Sequence, residues 1–201
     1  MNTSGRRTQR KKRNSHKRRS DMRIITGLAR GKKLALPSDN SIRPTSDMVK
    51  EAIFNTIQFD IEGKSVLDLF GGTGQLGIEA LSRGAKSAVI VDDNPSAVKL
   101  IKTNLSIAGL PSGTAVRDDA FRYLERDEKF DIIFLDPPFE SRLLTKALQK
   151  IIEFDKLNDG GIIICEGPAD EEPGELASLY KKIKSKKYGK KRITLYTRED
   201  G

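Results

Sequence analysis

From Ser65 onward the chain alternates short, continuously apolar runs with stretches of helical pattern, a rhythm that few architectures accept. The runs SVLDLF (65–70), SAVIV (87–91), FDIIFL (130–135) and GIIIC (161–165) read as strands, with a shorter one over 114–117. Between them, 75–82, 95–108, 120–126 and 143–154 read as helices. Asn94 is placed to cap the second, Pro95 suits its first position, and Leu100, Ile101, Leu105 and Ala108 give it an apolar face. Strands with no polar alternation are buried on both faces, and helical crossovers between them give parallel pairing. The expectation is an α/β fold: a mostly parallel seven-stranded sheet with helices on both faces, closed by an antiparallel pair over 179–187 and 192–197. Ahead of it, RIITG and KKLAL flank Ala29-Arg30-Gly31 as a hairpin, and Thr45-Ser46 can cap a helix carrying Val49, Ile53 and Ile57 on one face. Hairpin and helix together make an N-terminal extension over 22–60 of a domain spanning 22–201.

Four signals fall at successive strand ends. Asp68-Leu69-Phe70-Gly71-Gly72-Thr73-Gly74 follows the first strand and opens a helix. Its glycines permit close approach of the backbone to a ligand. No Lys-Ser/Thr follows them, so the turn is not a phosphate-binding Walker loop. Asp92 ends the next strand, where an acid can accept from two ribose hydroxyls, and Asp93 is adjacent. Asp119-Ala120 follows the third strand, where a carboxylate can meet an adenine amine or simply cap a helix. In open α/β sheets the carboxyl edge of the strands is where ligands bind.

Asp136-Pro137-Pro138-Phe139 follows FDIIFL and bears on the reaction. Two prolines remove two N–H donors and stiffen the turn, which leaves carbonyls and a carboxylate facing the cleft. Rigid acceptors suit a substrate that brings N–H donors, such as the exocyclic amine of a base. Phe139 is placed to stack on that base, which must be unpaired or flipped to reach it.

Composition removes other chemistries. One cysteine, Cys165, excludes an internal disulfide and a multi-cysteine zinc site and fits a reducing, cytoplasmic setting; one histidine, His16, leaves little for a histidine triad or a metal centre, and no metal is expected. No apolar run reaches the roughly 18 residues of a membrane span, and the first twenty residues carry no leader-like apolar stretch. The formal charge is +9, and all of it sits in residues 1–20, whose nine Lys and Arg face no acid; the remainder is formally neutral. With no apolar residues to offset its ordering entropy, the run 1–21 is expected to be disordered when free. It reads either as a nucleic-acid-binding arm or as an extension unrelated to function. Two further basic clusters, Arg23 to Arg43 and Lys181 to Arg192, allow a basic face on a neutral body.

In this order the four motifs resemble class I S-adenosyl-L-methionine-dependent methyltransferases, and Asp136 to Phe139 resembles the [D/N]PP[Y/F/W] box of the branch that methylates base amines. RIITGLARGKKL, RPTSDMVKEAIFN, VLDLFGGTGQLGIEALSRGA and DIIFLDPPF resemble, more closely, the bacterial 16S ribosomal RNA guanine-N2 methyltransferases, the RsmD family. The likeness runs from Met22 to Arg198. It implies a Rossmann-like fold and S-adenosyl-L-methionine as cofactor. It implies Asp68, Phe70, Gly71, Gly72, Thr73 and Gly74 around the methionine part, Asp92 and Asp93 at the ribose, and Asp119 and Ala120 at the adenine. It implies Asp136, the Pro137 carbonyl and Phe139 as the groups that position guanine, with Pro138, Arg43, Thr45, Lys187 and Tyr188 on the substrate side. The partner would be 16S rRNA, in a 30S particle or an assembly intermediate, and the enzyme a monomer with no membrane. Two departures stand out: Phe139 replaces the usual Tyr, keeping stacking and losing a hydroxyl, and Gly72-Thr73 replaces a small residue followed by Ser. The rival readings are another acceptor (adenine N6, or a protein glutamine) and a non-catalytic RNA-binding protein on the same fold.

Overall fold

Seven strands form one sheet in the order β3-β2-β1-β4-β5-β7-β6. They are β1 (Ser65–Leu69), β2 (Ser87–Asp92), β3 (Gly113–Arg117), β4 (Phe130–Leu135), β5 (Leu157–Pro168), β6 (Tyr180–Tyr188) and β7 (Lys191–Arg198). β1 to β5 run parallel, and β7 enters antiparallel between β5 and β6. The helices are α1 (Asp47–Thr56), α2 (Gln75–Ser82), α3 (Pro95–Ala108), α4 (Ala120–Tyr123) and α5 (Leu143–Glu153). The computed structural model describes residues 22–37, 45–139, 142–177 and 179–199. The basic run 1–21 and Arg43 lie outside the described residues, so the expectations placed on them rest on sequence.

The alternation expected from the sequence is present, and the differences have local causes. α4 ends at Tyr123 rather than near 126, a single turn capped by Asp119. β5 extends beyond GIIIC in both directions because it has β4 on one side and β7 on the other. The expected N-terminal hairpin forms as a turn with one bridge, Arg23 to Lys33, instead of two strands. Some of its backbone groups pair with each other, the amides of Ile24 and Leu34 with the carbonyls of Lys32 and Met22 among them; others pair with side chains of the domain beneath.

That arrangement explains α2, every residue of which is buried, Glu79 and Ser82 included. Segment 22–37 lies over this helix, so its polar side chains meet backbone instead of water. Glu79 accepts from the amides of Ile25 (2.8 Å) and Thr26 (3.0 Å), and Ser82 Oγ accepts from Ala29 and donates to the Thr26 carbonyl. The Lys50 ammonium of α1 lies 3.7 Å from Glu79 and donates to the Arg23 carbonyl. A buried carboxylate is costly unless paired and hydrogen-bonded; Glu79 has Lys50, Arg83 and two amides.

Asn104 of α3, fully buried, does the same further along. Its Oδ1 accepts from the Ala35 amide at 2.7 Å, and its Nδ2 donates to the carbonyls of Ala35 and Thr73. One side chain thus joins the N-terminal segment to the glycine turn after β1. Met22, Ile24, Ala29 and Leu34 close the core on this face together with Val49, Ile53 and Phe54 of α1 and its C-cap Ile57. Phe54 packs its ring 5.6 Å from that of Phe134 in β4. Burial of side chains of this size stabilises by about 1.5–3 kcal/mol each. α4 and α5 cover the opposite face over Leu67, Leu69, Ile133, Leu135 and Ile163.

Candidate active site

The carboxyl ends of β1, β2, β3 and β4 open into one cleft of about 630 Å³, a size typical of small-molecule sites. Of the residues expected to hold a cofactor, Asp68, Phe70, Gly71, Gly72, Thr73, Asp92, Asp93, Asp119 and Ala120 line it. Gly74 sits behind them as the left-handed N-cap of α2. Thr45, Asp136, Pro137, Pro138 and Phe139 line the same cleft. Lys187 and Tyr188, expected on the substrate side, do not: Lys187 pairs with Asp170 at the surface, and Tyr188 packs partly against the core with Lys186 over its ring. The cation of the closing strands that does reach the cleft is Lys191, at the start of β7.

The glycine turn is shaped by its neighbours. The Gly71 amide donates to the Val91 carbonyl at 2.8 Å, and a Cβ on Gly71 would overlap the Ile90 side chain. Phe70 holds a left-handed backbone, φ 69°, which costs a non-glycine residue of order 1–3 kcal/mol and concentrates at functional sites. Asp92 accepts from the Gly72 amide and from the Asn94 amide, each at 2.9 Å, so β2 fixes the far side of the turn. Burial pushes the Asp92 carboxyl up from its ordinary range, against those two amides, which pull it down.

Asp68 is the deepest carboxylate, 2% exposed. It accepts from the Gly77 amide at 2.9 Å. Burial, opposed by that amide and reinforced by the charges of Asp136 and Asp92, pushes it up to about 8. Asp136 is hydrogen-bonded by the Thr45 hydroxyl at 2.9 Å. Burial raises it too, against the pull of Lys191 and of that hydrogen bond. Thr45 therefore does not cap α1; Ser46 does, accepting from Val49. Asp119 caps α4 by accepting from Phe121 and Arg122, so at least one oxygen is committed to the helix.

Sequence reasoning passed over Gln75, Lys191 and Phe121. Gln75, first residue of α2, lines the cleft, and its buried Oε1 has no hydrogen-bond partner. Phe121 lies edge-on to Phe70 with centroids 6.4 Å apart, so the two rings form an apolar wall. The spacing of Asp119 could have pointed to Phe121, but nothing local marks Lys191, which an antiparallel strand delivers from far along the chain.

Sequence relatives agree with this frame. The family described as Conserved hypothetical protein 95 matches residues 22–197. The Bacillus subtilis protein YlbH is 38% identical over 87% of this chain and 98% of its own. The Ribosomal RNA small subunit methyltransferase D of Escherichia coli is 33% identical over 94% of this chain and 96% of its own. The solved structure of yhhF from Escherichia coli superposes with a TM-score of 0.82 at 29% identity, covering 89% of this chain and 98% of that one. The match runs from the N-terminal turn to the last strand, and on it the chain belongs to the Conserved hypothetical protein 95 family, that of the small-subunit ribosomal RNA methyltransferase D proteins.

Proposed function

We propose that this protein transfers a methyl group from S-adenosyl-L-methionine to the exocyclic N2 amine of a guanine in 16S rRNA. The observation that carries the reading is the placement of Asp136, fixed by Thr45, in the same cleft as the glycine turn and Asp92. A rigid amine-orienting turn beside a nucleoside-sized cradle fits few other reactions. Two of the relatives are named as methyltransferases of small-subunit ribosomal RNA.

The cleft fits that cofactor on its own residues. The unpartnered Gln75 Oε1 is an acceptor for an ammonium group, Asp92 is positioned for ribose hydroxyls, and Phe70 and Phe121 offer an apolar wall for a base. Bound there, S-adenosyl-L-methionine supplies an electrophilic methyl on a sulfonium. Asp136 and the Pro137 carbonyl accept from the two N–H groups of the amine and aim the nitrogen lone pair. The Asp136 carboxylate stabilises the positive charge that grows on that nitrogen. The aryl amine is neutral when it attacks and loses its proton afterwards, so no histidine is needed. Phe139 stacks on the extruded base.

Residues 22–201 form the catalytic domain in this reading, with the basic run 1–21 outside it. The protein acts as a cytoplasmic monomer on 30S particles or their precursors. No helix among the described residues is long and apolar enough to cross a membrane, and no acid, cysteine and histidine cluster among them suits a metal ion. The test is radiolabelled methyl transfer to free 16S rRNA, 30S particles and duplex DNA, with nucleoside analysis. N2-methylguanosine is expected; N6-methyladenosine would overturn the acceptor.

Asp68 gives the cofactor reading a signature of its own. With its carboxyl near 8 it is protonated in the free protein at pH 6.5. A cationic ligand in the cleft favours the ionised form, so binding releases a proton, and apparent affinity rises with pH toward 8. Titration calorimetry at pH 6.5 in buffers of different ionisation heat should read release of about one proton. Asp68→Asn should abolish the release. The same shift makes the contribution of Asp68 to unliganded stability full below the ordinary carboxylate range and lost as pH rises through about 8.

A further inference from the structure

Glu166, near the end of β5, is 2% exposed, and its Oε2 has no hydrogen-bond partner. Its other oxygen contacts the Lys191 ammonium. Buried carboxylate oxygens are nearly always satisfied, and an orphan one calls for an explanation. Its position supplies a candidate. Leu135 and Cys165 are register partners on β4 and β5, so Asp136, the first residue past β4, follows the strand end beside Glu166, which stays in β5 against β7. Glu166 lines a second cavity of about 450 Å³ that shares Pro137, Pro138 and Phe139 with the cofactor cleft. Lys191 connects the two: it contacts Glu166, lies 5.7 Å from the centre of the Phe139 ring, and acts electrostatically on Asp136.

We propose that Lys191, Glu166 and Asp136 read the acceptor base as guanine, in that order across its Watson–Crick edge. Guanine presents there an acceptor (O6), a donor (N1–H) and a donor amine (N2). The protein presents a donor ammonium, an acceptor oxygen left open, and the acceptor pair of Asp136 and the Pro137 carbonyl. Adenine presents an unprotonated ring nitrogen at the central position, and two lone pairs would then face each other on Glu166. A site built to bond a particular N–H rejects the analogue that lacks it, because a buried group is left unpaired. This inference rests on the proposed guanine reaction and assigns base choice to Glu166 and Lys191, which the reaction itself does not require.

The test compares guanine with 2-aminopurine at the modified position of 16S rRNA. 2-Aminopurine keeps the exocyclic amine, but its N1 is an acceptor and it has no O6. In Glu166→Gln the amide can donate to that nitrogen. Transfer to guanine should fall about a hundredfold, transfer to 2-aminopurine should rise relative to it, and S-adenosyl-L-methionine affinity should stay as in the parent. Lys191→Met is the second variant, for use if Glu166→Gln does not fold. It should lower transfer to guanine about tenfold more than transfer to 2-aminopurine, which has no O6 for Lys191 to meet. Equal effects on both bases, or wild-type discrimination in Glu166→Gln, would overturn the base-reading role while the guanine reaction stands. Adenine methylation by the parent protein would overturn the guanine reaction, and this inference with it.

Discussion

Replacing Asp136 with alanine is expected to lower the single-turnover rate of methyl transfer by about a thousandfold or more, with cofactor affinity changed by no more than about threefold. Preorganised groups aimed at developing charge contribute on the order of 10²–10³ each, and Asp136 also orients the nitrogen. Its carboxylate accepts from the Thr45 hydroxyl, which can turn elsewhere when alanine replaces Asp136. Removing it also takes away one of the negative charges that raise Asp68, so that carboxyl moves back toward its ordinary range. Asp92→Ala is the contrast. It strands the amides of Gly72 and Asn94 and slackens the glycine turn, so affinity falls first. Calorimetry with S-adenosyl-L-methionine and rapid-quench transfer on rRNA separate the two. Parallel loss of affinity and rate in Asp136→Ala would mean that the turn is scaffold and not chemistry.

Gly27→Ala should be among the most destabilising single-methyl additions in the chain, by about 3–5 kcal/mol. Gly27 has φ 87°, which disfavours any side chain, and a Cβ there would overlap the Ser82 carbonyl oxygen. That oxygen cannot retreat, because it accepts from the Leu28 amide at 2.7 Å and belongs to a helix buried along its whole length. The segment would have to lift, and the Ile25 and Thr26 amides would leave Glu79. For a chain of this size such a loss lowers the melting temperature by about 6–20 °C. Gly31 is the control: φ 81°, but nothing within 4 Å of a built Cβ, so alanine should cost only the backbone term of about 1–2 kcal/mol. Equal melting shifts for the two would show that close approach to α2 does not hold the segment.

The central strands and α2, α3 and α5 were legible because buried parallel strands are uninterrupted apolar runs and the stretches between them have helical pattern, with Asn94 before Pro95 marking the start of α3. The carboxyl-edge site was legible for the same reason: each candidate acid ends a strand. What the sequence did not disclose depends on distant side chains. Nothing near residues 22–37 indicates that Glu79, Ser82 and Asn104 satisfy their backbone, so two strands were expected where one bridge forms. Thr45 looked as good a cap as Ser46, and only the tertiary position of Asp136 separates their roles. The basic cluster of the last hairpin gave no sign of which lysine turns inward; strand register selects Lys191, opposite Pro168, over Lys187.

The attachment of segment 22–37 to later helices has a consequence for synthesis of the protein. Its buried anchors all come later: Lys50 is 27 residues downstream of Arg23, Glu79 54 downstream of Ile25, and Asn104 69 downstream of Ala35. At roughly 5–20 residues per second, translation leaves Ala35 without Asn104 for about 3–14 s after it is made. Over that interval Met22, Ile24 and Leu34 lack Ile132, Phe134, Ile164 and Leu195, the members of their core that β4, β5 and β7 bring. The earliest part of the domain to be translated is therefore among the last to dock, and the glycine turn, tied to it through Asn104, reaches its final shape only when that late event is complete.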